Sequence, residues 1–482
     1  MTDSIIHKKD HIIIIGSTEP MEIAMVIETA LVLISKNEKV VILDLVSNSN
    51  GPLNFFFAEK YRILRFKLLV GRLKKKINII NFNFKKKTDN IEKSTILSAH
   101  KAAELEIISL KRDINPCKIC NYKQANKLSN LYLQIYGQFS EYINNINNPS
   151  IYVYNGRFLI GNACWEVAKK FNIEIKFLEQ IVMNKPNKYW VFEQPVHSMK
   201  YRADVINSFV NNYNKNEFQK LKELGNIWFS DRIKGITHNF TSKQTLQYQK
   251  IHNGRKLVSY FPSSEDELIL LSLEDEVWGN QKKIINDLAI YFNEVGEIDF
   301  TIRLHPNTNH KSAEEVRRLM NFKLEIERKY HFVKVINFNE QTNTYSLIRN
   351  SDLVITSGST VSLEAAYLNI PNILIGNSLY KDMNVAYNPK DLNEFKKEFN
   401  TYLVNKNQEI HFQNALKVGI FHSEGGLSYK FVEINKTGKN ISIFKFRIDS
   451  SKVYTMLIKL DKYFLSSRKK IIHRSSHENR IY

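Results

Sequence analysis

Residues 356–360 read Thr-Ser-Gly-Ser-Thr, directly after an apolar run, Leu353-Val354-Ile355, and directly before a helical pattern that contains Glu364. A strand, a small hydroxyl-rich turn and a helix, in that order, point main-chain N–H groups at an anion. Ser357, Ser359 and Thr360 add hydroxyl donors, and Gly358 lets the backbone come close to a ligand. Glu364 lies about one turn into the helix. It is either an acceptor for ribose hydroxyls or an ordinary helix-surface carboxylate.

Two further strand ends in the same half carry suitable groups. Pro306 stops the run Phe300–Leu304 and sets the His305 ring at the carboxyl edge of the sheet. There it can donate to a phosphate oxygen or protonate a leaving group. Arg303, two residues earlier, supplies fixed positive charge or forms an ion pair. Ser263 and Ser264 follow the strand Leu257–Phe261 and precede Glu265-Asp266-Glu267. Their hydroxyls suit a ligand or a helix start, and helix-dipole compensation explains the acids more cheaply than a metal site does. Hydroxyls, a histidine and an anion-friendly turn at three strand ends point to a nucleotide mono- or diphosphate, with no metal expected.

The amino-terminal half offers a second set. Asn155 and Arg157 follow the strand Ile151–Tyr154 and suit an anionic or sugar acceptor. Glu179, Glu193 and Glu19 each follow or end an apolar run, and each is a candidate general base for an acceptor hydroxyl, in that order of preference. Asp44 ends a strand as a ribose-binding acid does. The turn Gly16-Ser17-Thr18-Glu19 nevertheless lacks the G-x-G-x-x-G spacing, which disfavours a dinucleotide.

Strands and helices alternate around these residues in two series, one from Ile12 to Phe177 and one from Leu257 to Ile375. Alternation of this kind implies mostly parallel sheets covered on both faces. The reading is an α/β chain with a Rossmann-like domain over 1–245, a second over 246–425, and a segment 426–482 that packs back and ends in a basic tail. An amphipathic stretch, Val453–Phe464, belongs to that last segment.

The motifs YNGR, FPSSEDE, the Trp278…Gln281 segment, RLHPN and TSGSTVSLEAAYLNIP together resemble the capsule or surface polysaccharide biosynthesis glycosyltransferases, over Ile151 to Gly376. The HP and hydroxyl-rich motifs are similar to those of bacterial sialyl- and Kdo-transferases. The resemblance implies the GT-B architecture, two facing Rossmann-like doubly wound domains with a cleft between them. It implies a CMP-, UDP- or GDP-sugar donor in the carboxyl-terminal domain, a glycan or glycolipid acceptor in the amino-terminal one, and no bound metal or other cofactor. It also implies work on the cytoplasmic face of the bacterial inner membrane. Carried over, His305 contacts the donor phosphate, and Ser357, Ser359 and Thr360 complete its cradle. The acidic D/E-D/E-G motif of sialyltransferases is not found in the amino-terminal half, so the base stays open among the three glutamates.

The totals narrow the alternatives. At 482 residues with 43% hydrophobic content, the chain is long and apolar enough for two or three cores. A formal charge of +20 favours anionic partners, nucleotide phosphates and an acidic membrane surface among them. Clusters at Lys74–Lys76, Lys85–Lys87 and Arg468–Lys470 carry part of it, but no nucleic-acid recognition module is visible. Three cysteines build no disulfide framework, and Cys117 and Cys120 are half a metal motif without a second pair. No run reaches the about 20 apolar residues that span a bilayer. These features fit a cytoplasmic protein that can rest on a membrane. A polyol-phosphate transferase, a sugar epimerase and a non-catalytic nucleotide- or glycan-binding partner are the competing readings.

Overall fold

The computed structural model describes residues 9–17, 19–46, 77–82, 91–180, 188–236, 244–250, 254–405 and 408–434, and the backbone of 440–443 and 446–449. The three lysine- and arginine-rich clusters and the Val453–Phe464 stretch lie outside the described residues. The chain divides into two compact units. The first comprises Met1–Glu104, Cys120–Pro195 and Gly426–Tyr482, and the second Leu105–Ile119 and Val196–Gly425.

In the first unit, β1 (Asp10–Ile15), β2 (Lys39–Asp44), β3 (Asn78–Asn81), β4 (Pro149–Tyr154) and β5 (Glu174–Gln180) run parallel. β6 (Lys188–Phe192) pairs antiparallel with β5, and β12 (Leu427–Ser428) antiparallel with β6. The sheet order is β12-β6-β5-β4-β1-β2-β3. Helices α2 (Lys93–Lys111), α3 (Lys118–Ile143) and α4 (Leu159–Lys170) lie on the path from β3 to β5.

Helix α1 (Pro20–Ser35) starts on a proline, whose missing N–H costs nothing in a first turn. Its residues from Glu22 to Leu31 are all buried, which requires a layer on each side. One layer is the seven-stranded sheet. The other is the antiparallel sheet of β13 (Val432–Ile434), β14 (Asn440–Ile443) and β15 (Phe446–Asp449), whose first two strands contact α1. Glu28, wholly buried within α1, accepts hydrogen bonds from the Lys430, Phe431 and Val432 N–H groups at 2.6, 2.9 and 3.0 Å. The returning chain thus satisfies a carboxylate that would otherwise be costly to bury.

The second unit contains five parallel strands, β7 (Lys256–Pro262), β8 (Ile298–Arg303), β9 (Val333–Ile336), β10 (Leu353–Ser357) and β11 (Asn372–Leu374), in the order β11-β10-β7-β8-β9. Its helices are α5 (Met199–Asn211), α6 (Lys215–Ile233), α7 (Glu265–Leu270), α8 (Gln281–Val295), α9 (Ala313–Lys329), α10 (Thr344–Asn350), α11 (Val361–Tyr367), α12 (Leu392–Val404) and α13 (Glu409–Glu424). Side-chain caps fix several starts: Asn214 forms a capping box with Glu217, and Asn280, Ser312, Asn343 and Asp391 each accept from a first-turn N–H.

The division between units falls after Pro195, and helices α5 and α6 belong to the second unit. The reason is packing. Helices α5 and α6 lie against α13, with Val210, Leu221, Leu416 and Ile420 in one core. A Cβ on Gly419 would come within 3.1 Å of the Gly225 carbonyl oxygen, so the two helices cross closely at those glycines.

Both sheets reverse direction once. In the first, β2 and β3 lie on one side of β1, and β4 and β5 on the other. In the second, β8 and β9 lie on one side of β7, and β10 and β11 on the other. The carboxyl ends of the strands at such a reversal leave a crevice where ligands of α/β proteins bind.

Candidate functional site

In the second unit the reversal is lined by the turns after β7 and β10. The Ser263 N–H donates to the Ser357 carbonyl at 3.0 Å, and the Tyr260 and Ser357 hydroxyls hydrogen-bond at 2.7 Å. Gly358 has φ +70°, and a Cβ there would lie 2.6 Å from Leu268 Cδ2 of α7. Only glycine allows the turn to close against that helix. The Ser359 hydroxyl accepts from the Val361 N–H at 3.3 Å, and its carbonyl from the Ser362 hydroxyl at 3.0 Å. The N–H groups of Gly358, Ser359 and Thr360 have no hydrogen-bond partner among the described residues. Three successive unsatisfied amides form a nest for an anion.

His305 stands on the same sheet edge, after β8. Its Nδ1 accepts from the Asn307 N–H at 3.2 Å and so caps the 3-10 turn Pro306–His310. The ring proton therefore sits on Nε2, which has no protein partner among the described residues. Burial, with Lys311 adding to it, pulls the imidazole pKa down to about 4. At neutral pH the ring is an uncharged donor rather than a general acid.

Three other residues singled out in this half are engaged elsewhere. The Ser264 hydroxyl is buried and donates to Asp266 Oδ1 at 2.5 Å. Asp266, itself wholly buried, also meets Arg112 at 3.1 Å and Lys311 at 3.3 Å. The buried Arg303 guanidinium donates to the carbonyls of Asn337, Glu340 (3.0 Å) and Thr342 (3.5 Å). It holds the loop after β9 and does not face a phosphate. Glu364 is buried, and its Oε1 accepts from Arg232 Nε at 2.9 Å and Nη2 at 2.5 Å. The same Nη2 donates to the Thr360 hydroxyl at 3.3 Å. Glu364 thus anchors Arg232 beneath the turn. Nothing in the sequence signalled Arg232, which stands 132 residues before its partner.

In the first unit the turns after β1, β4 and β5 meet. The Asn155 backbone has φ +57°, its N–H donates to the Leu178 carbonyl at 2.9 Å, and its side-chain amide donates to the Glu179 carboxylate. A Cβ on Gly156 would overlap the Phe177 ring, so the turn admits no side chain there. The Arg157 guanidinium sits 4.9 Å over the Phe158 ring, and its Nε is buried without a partner. The Tyr154 hydroxyl is held above its usual pKa by burial, then by Glu179 and Glu22, with Arg157 opposing and Glu19 adding. One edge therefore gathers Glu19, Glu22, Tyr154, Asn155, Arg157 and Glu179.

Glu22 reads in the sequence as an ordinary first-turn acid. It accepts from the Gly16 and Ser17 N–H groups at 2.8 and 3.0 Å and from the Ser17 hydroxyl at 2.6 Å. Burial raises its pKa, and these hydrogen bonds oppose the rise. The turn after β1 thus cradles the protein's own carboxylate where a dinucleotide-binding chain would cradle a pyrophosphate. Asp44 is also internal, accepting from the Val46 N–H and the Asn81 amide at 3.0 Å each. Glu193 lies apart from the cluster. β6 runs against β5, with Phe192 opposite Phe177, so Glu193 emerges at the amino edge, beside Lys176. No residue of β6 signals that reversal. Among the described residues no group of three or more His, Cys, Asp or Glu side chains is placed to hold a metal ion, and no helix is long and apolar enough to cross a membrane.

No protein-family model and no curated protein matches the sequence. Solved structures similar to the chain include glycosyltransferases and nucleotide-sugar epimerases. The β-Kdo 2,4-transferase KpsC of Thermosulfurimonas dismutans is 15% identical over 51% of this chain and 74% of its own, with a TM-score of 0.35. The β-Kdo 2,7-transferase of the same protein gives 11%, 67%, 89% and 0.37. The UDP-GlcNAc 2-epimerase of Methanocaldococcus jannaschii gives 12%, 85%, 98% and 0.30. Likenesses of this size assign no activity to the chain.

Proposed function

We propose that the chain is a GT-B glycosyltransferase that moves a sugar from a nucleotide-activated donor, a CMP-, UDP- or GDP-sugar, to a surface or capsular polysaccharide or a glycolipid. The second unit takes the donor and the first the acceptor. The reading is carried by one observation: the unsatisfied Gly358–Thr360 amides share a sheet edge with an uncharged His305 whose Nε2–H is free to donate. Amides and a neutral imidazole stabilise a departing phosphate without moving a proton or recruiting a metal. Ser263 and the hydroxyls of Ser359 and Thr360 lie on the two turns that flank this position, and Ser357 joins them to each other.

In the first unit Glu179 is the general base. Its carboxylate is half-buried, is oriented by the Asn155 amide, and acts on the Tyr154 hydroxyl together with Arg157 and Glu19. It removes the acceptor hydroxyl proton as the sugar–phosphate bond breaks, and Arg157 and Glu19 bind the acceptor. The basic excess of the chain suits work on an anionic membrane surface on the cytoplasmic side.

Calorimetry with CMP, UDP and GDP tests the donor half. One nucleotide binds, and His305→Asn and Ser359→Ala each weaken it by about 10-fold or more, the worth of a hydrogen bond to a charged group. Glu179→Gln leaves that affinity intact and lowers transfer by about 10²–10⁴-fold. Unchanged nucleotide affinity in both second-unit variants overturns the reading.

A further inference from the structure

Beside the β10 turn, the loop that follows β11 carries Ser378 and Tyr380, both buried. Helix α5 packs on the Lys381–Met383 turn of this loop and on α13, which brings Arg202 to the same edge. The Arg202 Nε is buried and has no hydrogen-bond partner, and no ion pair engages its guanidinium among the described residues. A buried guanidinium nitrogen left unpaired is costly unless something outside the protein completes it.

The surrounding charges do not compensate it. The charged groups acting on the Tyr380 hydroxyl are Arg202, Arg232 and Glu364. Those acting on His422 are Arg202 and Arg232. Glu364 is already spent on Arg232 through two hydrogen bonds to one oxygen. Of the two guanidiniums, Arg232 is paired with this carboxylate and Arg202 with none among the described residues. Arg232 reaches Thr360, the last residue of the anion nest, and Arg202 acts together with Arg232 on both Tyr380 and His422, which puts the two guanidiniums in one region of the unit that holds the place proposed for the donor phosphate.

We propose that Arg202 receives a second anionic group of the donor, beyond the phosphate held by the Gly358–Thr360 turn. That group is a β-phosphate or a sugar carboxylate, since both match the planar fork of a guanidinium. The inference rests on the donor assignment above, and it makes the protein selective for donors that carry a second, separate anionic group over a simple nucleoside monophosphate.

The test is calorimetry on the full chain with CMP, CDP, UMP, UDP and a CMP-activated sugar acid, comparing the native protein with Arg202→Met and Arg202→Lys. In the native protein, ligands with the second anion bind about 10-fold or more tightly than the matching monophosphate. Arg202→Met erases that gap and leaves monophosphate affinity within about two-fold, while Arg202→Lys keeps part of it because charge remains without the fork. A gap with the diphosphates alone identifies a β-phosphate, and one with the sugar acid alone identifies a carboxylate. Monophosphate binding with no gap, or a gap that survives Arg202→Met, overturns the inference and leaves the donor assignment standing. Failure of every nucleotide to bind the native protein overturns both. Circular dichroism and a thermal midpoint for each variant show that it is folded, and Arg202→Lys carries the comparison if the methionine variant is not.

Discussion

A charged imidazole and a neutral one answer pH differently, and His305 belongs to the second kind. Its pKa of about 4 places its titration well below that of an ordinary histidine. Nucleotide phosphates themselves titrate near about pH 6, so raw affinities shift with pH whatever the protein does. The ratio of native to His305→Asn affinity removes that contribution. It stays constant between about pH 5.5 and 8, because a neutral Nε2–H donor is present throughout. A ratio that falls as the pH passes about 6.5 would mean a charged ring binds the phosphate. Gly358 is the other residue on which the turn depends. Gly358→Ala combines a left-handed backbone with a contact 2.6 Å from Leu268, whereas Gly254→Ala, at φ +81° with nothing within 4 Å, adds only the backbone strain. In urea titrations Gly358→Ala is the more destabilising, by about 1–3 kcal/mol from overpacking, and it alone weakens nucleotide binding.

At the scale of elements, Glu28 shows how a helix interior is made to accept a carboxylate. Glu28→Ala leaves the Lys430, Phe431 and Val432 amides without their acceptor. The cost is about 1–3 kcal/mol for each donor that stays buried and unpaired. Hydrogen exchange at 430–432 should accelerate before exchange in β1 or β4 does; equal protection in the variant would show that the strands, and not the carboxylate, hold this segment. The strands and most helices were legible because apolar runs such as Ile12–Ile15 and Leu353–Ile355 end in turn residues and become helical at once. The hydroxyl turn and His305 were legible for the same reason, since both sit where a strand must stop. Arg303, Ser264 and Glu364 stand at equally good positions, yet their side chains turn to partners distant in sequence, and spacing carries no record of that. Glu193 went astray for a different reason. A strand's residues do not state whether it runs with its neighbour or against it, and β6 runs against.

At the scale of the whole molecule, the positive excess of +20 concentrates anions near the protein, while buried histidines set its response to mild acid. His422 on α13 stacks on Trp228 at 5.4 Å, and the Arg232 guanidinium lies 4.7 Å over that same indole. Burial, then Arg202 and Arg232, hold its pKa down at about 3. The sign follows from proton counting. In the unfolded chain His422 binds a proton below about pH 6.5, whereas the folded protein binds one only near pH 3. The contribution to stability is complete above the unfolded pKa and is lost as the pH falls through that window, by at most about 1.4 kcal/mol per pH unit for each histidine. His305 acts in the same direction, with its folded pKa of about 4. Asp113, Asp266 and Asp352, all held below their usual values, add losses at still lower pH. Glu22, held above its usual value, opposes those carboxylate losses. The window from about pH 6.5 to 5 therefore belongs chiefly to the histidines. Chemical denaturation of the native protein should show stability declining across it, and His422→Phe, which keeps an aromatic ring against Trp228, should flatten the decline. A slope unchanged in His422→Phe and in its combination with His305→Asn would place the acid sensitivity in other groups and remove the argument for two guanidiniums pressing on one imidazole.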